Sequence, residues 1–112
     1  ISSGPMVRNC LDAIKRINAK NGLLNISSLK PLNERLLIRI IQKYRKILTV
    51  EDHSIFGGLG SIVSEIVTKY NLKKQVKIHG INDTYINSDT PGNLEKQYLL
   101  DSDGIKKIIQ NY

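Results

Sequence analysis

Two carboxylates, an imidazole, two hydroxyls and three glycines fall within eleven residues, EDHSIFGGLGS at 51–61. Acyl transfer needs a serine, histidine and aspartate that converge. A metal site needs histidine and acidic ligands at a set spacing. Phosphate binding needs glycines that open the backbone N–H groups at a helix start. Asp52, His53 and Ser54 are consecutive, and consecutive side chains of an extended segment diverge, so no catalytic triad is expected from them. No GxSxG elbow elsewhere supplies another nucleophile, and no catalytic residue is expected. His53, His79 and Cys10 lie on separate elements without ligand spacing, so no metal site is expected either.

The glycines are the stronger candidate. Gly57, Gly58 and Gly60 precede or open a helix, with Ser61 behind them. The third glycine of a dinucleotide fingerprint and the lysine of a P-loop are both absent. Tight chain reversal and close helix-to-sheet packing account for these glycines, with anion binding as the alternative.

The surrounding elements must position this stretch. Ile1-Ser2-Ser3-Gly4 resembles the tail of a strand followed by a turn glycine, so the domain is expected to be truncated at its N-terminal edge. Val7, Cys10, Leu11, Ile14 and Ile17 recur at helical spacing up to a stop at Asn21-Gly22. Leu23 to Ser27 predicts a short strand. Asn33 then caps a second helix with a stripe of Leu36, Leu37, Ile40, Ile41 and Tyr44. Ile47 to Val50 predicts the third strand, Leu59 to Tyr70 the third helix and Val76 to Ile78 the fourth strand. Beyond Gly80 come a short strand at Tyr85-Ile86, a helix from Pro91 to Leu99, and a last helix capped by Asp101 or Ser102.

Strand and helix alternate throughout, which calls for an α/β fold with a mostly parallel sheet covered on both faces. A doubly wound order of 2-1-3-4 places a topological switch between the first and third strands. The ends flanking that switch carry Gly4, Pro5 and the 51–61 stretch. Gly4, Pro5, Glu51, Asp52, His53, Phe56, Gly57, Gly58, Gly60 and Ser61 are therefore the expected interface or anion crevice.

At 112 residues the chain is one domain, and its 40% hydrophobic and 24% charged content is ordinary for a globular module. The formal net charge of +7 is scattered over every predicted helix, with one Phe and no Trp to interleave with it, so no nucleic-acid partner is expected. No apolar run approaches a membrane span and no leader is visible. With Cys10 the only cysteine, a buried core position and a cytoplasmic location are expected.

The blocks ISSGPMVRNCLDA, ISSLKPLNERLL, ILTVEDHSIFGGLGSIVSEIV and GINDTYINSDTPGNLEKQYLL resemble, in order, the C-terminal domain of transketolase-type thiamine-diphosphate enzymes. The resemblance implies a three-layer α/β/α domain spanning 1–112, the last of a multidomain enzyme, with a further antiparallel strand upstream of Ile1. It implies a parent that transfers a two-carbon ketol unit between sugar phosphates and binds thiamine diphosphate and magnesium between its other domains. It implies those preceding domains and a second subunit, in a homodimer, as partners.

The family's GDG cofactor signature has no counterpart here; SDG at 102–104 has no strand before it and reads as a helix start. No cofactor-binding residue is therefore expected in this domain, whose role is packing, with regulation as an addition. Deoxyxylulose-5-phosphate synthase is the sister family, and Pro91 leans towards transketolase. Leu99 departs from a family pattern in which glycine is common. Phe56 and His53 are expected to contact a neighbouring domain or subunit.

Overall fold

The computed structural model describes all 112 residues, Ile1–Tyr112. The elements follow in the order α1 (Met6–Lys15), α2 (Glu34–Ile41), β1 (Lys46–Ser54), α3 (Leu59–Lys69), β2 (Gln75–Ile81), α4 (Pro91–Gln97) and α5 (Ser102–Gln110). β1 and β2 pair in parallel, from Lys46 opposite Gln75 to Ser54 opposite Ile81. A parallel pair needs a crossover, and α3 supplies it.

Alternation along β1 sorts its side chains between two cores. Ile47 joins Leu37 and Ile41 of α2 and Leu59, Val63, Ile66 and Val67 of α3 on one face. Val50 joins Met6, Cys10 and Ala13 of α1 with Ile81, Leu100 and Ile105 on the other. Helices therefore cover both faces, as the three-layer expectation requires. Fully burying one such Leu or Val contributes about 1.5–3 kcal/mol, so the two cores carry most of the stability. Cys10 is among the buried residues, and burial pushes its thiol pKa above the ordinary value.

Three of the five helix starts follow the capping rules. Asn33 Oδ1 accepts the Leu36 N–H at 3.0 Å, and Asp101 Oδ1 accepts the Gly104 N–H at 2.9 Å. The Thr90 hydroxyl accepts from Asn93, with Pro91 in the first turn. Each such cap contributes about 1 kcal/mol.

The strands depart from expectation. Residues 1–3 and 23–27 form no ladder; single parallel bridges place Ser2 beside Asn25 on one side and Val50 on the other. The ladder itself is two-stranded, and only these bridges join residues 23–27 and 1–3 to it, side by side with β1 and β2. No strand forms at Tyr85-Ile86, where Tyr85 is fully exposed and Ile86 exposed. β1 runs four residues past Val50, through Ser54, and only Ile55 to Gly58 separate it from α3. α2 ends at Ile41, which leaves Tyr44 outside the helix.

Candidate functional site

The extension of β1 is what gives residues 51–61 their geometry. Ile47, Thr49 and Glu51 share the face towards α3, which carries the Glu51 carboxylate under the start of that helix. Glu51 is 1% exposed. Its Oε2 accepts the Leu59 N–H at 2.8 Å and its Oε1 the Gly60 N–H at 3.1 Å. Two of the donors that a helix N-terminus leaves unpaired are thus satisfied from within the chain, and the carboxylate also meets the positive end of the helix dipole. Gly58, the N-cap, has no side chain of its own to do this.

His53 Nε2 lies 3.0 Å from Glu51 Oε2, and its Nδ1 lies 3.3 Å from Asp52 Oδ1. The expected divergence of consecutive side chains is therefore corrected for this pair: Asp52 and His53 do meet. Between Val50 and Ser54 the register slips, with four steps on β1 against two on β2, so regular alternation fails there. The serine is still not engaged. Ser54 Oγ accepts the Phe56 N–H at 3.3 Å, while the second imidazole nitrogen is turned to Glu51. Base and nucleophile are not paired, and no acyl-transfer triad is assembled.

Glycines leave the room this arrangement needs. A Cβ at Gly58 would overlap the Glu51 carboxylate and lie 2.8 Å from His53 Nε2. One at Gly80, on β2, would lie 2.9 Å from Glu51 Cγ. One at Gly60 would lie 2.8 Å from both Ile78 Cγ1 and Thr49 Oγ1, whose hydroxyl is buried without a hydrogen-bond partner. Gly57 has φ +75°, the left-handed conformation that glycine adopts at least cost. The turn is closed by Ser61, whose Oγ accepts the Gly57 N–H at 2.9 Å and donates to the Ile55 carbonyl at 3.2 Å. Phe56 stands outside it, 69% exposed.

Of the expected crevice residues, 51–61 form one connected constellation. Gly4, with φ +57°, and Pro5, the N-cap of α1, follow Ser2, which is bridged to Val50 next to that stretch and donates its hydroxyl to the Val50 carbonyl at 2.9 Å. The hollow beside Gly4 is lined by Ser3, Asn25, Ile26, Ser27 and Leu29, with no residue of 51–61. Gly80 and Thr49 were not singled out from sequence. Alternation from Ile47 was the available signal for Thr49, and Gly80 had none beyond being a glycine within a strand.

A phosphate at the start of α3 would have to displace the Glu51 carboxylate from the N–H groups of Leu59 and Gly60. The same holds for a cofactor diphosphate, and no group of three or more His, Cys, Asp or Glu side chains is arranged to hold a metal ion. The residues present do not fit thiamine diphosphate or its metal at this turn.

The family model described as transketolase, C-terminal domain, matches residues 1–105. The chain is 35% identical over 109 residues to the 1-deoxy-D-xylulose-5-phosphate synthase of Thermus thermophilus, which covers 97% of this chain and 17% of that one. It is 35% identical over 113 residues to a putative transketolase C-terminal section of Methanocaldococcus jannaschii, covering 97% of this chain and 34% of the other. Among solved structures, a split-gene transketolase described as an inactive β4 tetramer superposes with a TM-score of 0.84 at 29% identity, over 98% of this chain and 37% of that chain. The chain thus spans about a sixth of the synthase and about a third of the archaeal section. Matched over nearly its whole length in sequence and in fold, this chain belongs to the transketolase C-terminal domain family.

Proposed function

We propose that this domain is the non-catalytic C-terminal module of a transketolase-type enzyme, and that it serves domain and subunit packing through the turn at 55–58. One observation carries the reading: the helix start best placed to bind an anion is filled by the chain's own Glu51, while Phe56 is held in water a few residues away. An exposed Phe on a turn braced by its own hydrogen bonds suits a contact better than a reaction. His53, half exposed beside Glu51 and Asp52, adds a polar contact at the edge of the same surface.

The parent enzyme is then a cytoplasmic homodimer that transfers a two-carbon ketol unit between sugar phosphates. Its thiamine diphosphate and magnesium are held by its other domains, and no residue of this domain binds them. The absence of a helix long and apolar enough to cross a membrane is compatible with that location. A deoxyxylulose-5-phosphate synthase parent is the second reading, favoured by the synthases among the relatives. The packing role is the same in both.

Phe56→Ala tests the role. Assembly of the intact enzyme, followed by sedimentation, is expected to weaken, while the melting temperature of the 112-residue chain stays within about 3 °C, as for an exposed surface substitution. A loss confined to folding of the 112-residue chain contradicts the proposal.

A further inference from the structure

β1 and β2 leave the sheet side by side at its carboxyl end, where the Ile55 N–H donates to the Ile81 carbonyl at 2.9 Å. The 55–58 turn and residues 82–90 therefore start from neighbouring points, one loop from each strand. All of residues 82–90 are exposed, and they form neither helix nor strand. A tight turn redirects them: the Asn82 carbonyl accepts the Thr84 N–H at 2.7 Å. The N–H groups of Asp83, Tyr85 and Ile86 donate no hydrogen bond within the chain. Three large apolar side chains, Phe56, Tyr85 and Ile86, thus stand in water on two adjacent loops. Single exposed apolar residues are ordinary on a protein surface, but two aromatics and an isoleucine issuing from one sheet edge call for a cover.

Charge is segregated along the strands as well. Residues 47–68 and 78–95 contain no Lys or Arg and hold six of the ten Asp and Glu, while all seventeen Lys and Arg lie elsewhere. Asp52 precedes the first loop and Asp83 lies on the second, both exposed, and Asp89 stands at the far end of the second. Asp83 and Asp89 take part in no ion pair, and Asp52 meets only His53. A chain of formal net charge +7 therefore presents an acidic face at this end.

We infer that the two loops seat together in an apolar hollow rimmed by Lys or Arg on another domain of the parent enzyme, an inference that rests on the packing role proposed above. Phe56, Tyr85 and Ile86 fill the hollow, and Asp52 and Asp83 meet the rim. The charge selects the occupant. A second copy joined through the same face by a two-fold axis would set carboxylate against carboxylate. A bound cation would leave the aromatic side chains in water, and an anionic membrane surface would repel the same carboxylates. A basic rim around an apolar hollow matches both features.

Backbone hydrogen exchange, compared between the intact enzyme and the 112-residue chain, reads whether the second loop is covered. The amides of Asp83, Tyr85 and Ile86 are expected to exchange about tenfold or more slowly in the intact enzyme. Asp52→Lys/Asp83→Lys is expected to remove most of that slowing at low salt, because cations then face cations. Asp12→Lys/Glu65→Lys, the same change in charge on α1 and α3, is expected to alter it less than about threefold. Tyr85→Ala/Ile86→Ala is expected to lose it too, while the 112-residue chain keeps its melting temperature within about 3 °C. Slowing that survives Asp52→Lys/Asp83→Lys overturns the inference, because the cover is then not basic. Slowing that appears in the 112-residue chain alone and grows with its concentration overturns it in favour of a second copy. If these amides exchange equally fast in both while Phe56→Ala still weakens assembly, the inference falls and the packing role stands. Equal exchange together with unchanged assembly of Phe56→Ala overturns both.

Discussion

A carboxylate taken out of water is costly unless its lone pairs are met, and Glu51 meets them with two helix-start N–H groups and the imidazole of His53. Glu51→Gln keeps the shape but turns an amide donor towards donors. It is expected to lower unfolding stability by about 1–3 kcal/mol, read from the denaturation midpoint. His79 offers a second residue-scale check. Burial holds its pKa below 6.5, against the raising effect of its contact with the Leu99 carbonyl, while Lys77 lowers it further. A folded-state pKa below the unfolded one means that the unfolded chain binds the proton more readily. Stability is therefore unaffected by this group above the unfolded value and falls as pH drops through it towards the folded value. Between pH 7.5 and about 5.5 the chain is expected to lose melting temperature, and His79→Gln to lose less of it.

At the scale of elements, caps and apolar periodicity were legible in the sequence and strand lengths were not. Asn33 and Asp101 are caps by residue type alone, and the Leu59 to Val67 stripe meets the core as its spacing demands. The chemistry-bearing residues Glu51 to Ser54 resembled a loop because their β propensity is low, yet pairing with β2 draws them into the strand. Tyr85-Ile86 has favourable propensity and no neighbouring strand to pair with, so it forms none. The end of α4 joins the two levels. Leu99 has φ +56°, and a Cβ on Gly104 would lie 2.5 Å from Leu99 Cα, so the chain turns left-handed there under close packing. That explains why glycine suits the position where this sequence carries leucine. Leu99→Gly is expected to raise stability by up to about 1 kcal/mol, the relief of the left-handed strain being partly offset by glycine's backbone entropy. A drop in the melting temperature would contradict this.

For the whole molecule, two cores on either side of a short parallel ladder leave the two ends of the sheet with different surfaces. The carboxyl end holds the closed 55–58 turn, its anchor Glu51 and the exposed Phe56; at the amino end Lys74 ties down the carbonyls of Gln42 and Tyr44, and the Tyr112 hydroxyl that of Gln75. Family resemblance made the three-layer fold legible from sequence. The filling of the α3 start by Glu51 was not, because it depends on a register slip that no local pattern records. The packing role proposed above entails that this domain binds neither cofactor nor substrate. Its most direct test is the melting temperature of the 112-residue chain measured with and without millimolar thiamine diphosphate and magnesium. A ligand that binds only the folded chain raises that temperature by mass action. No shift is expected; a saturable rise would contradict the proposed packing role.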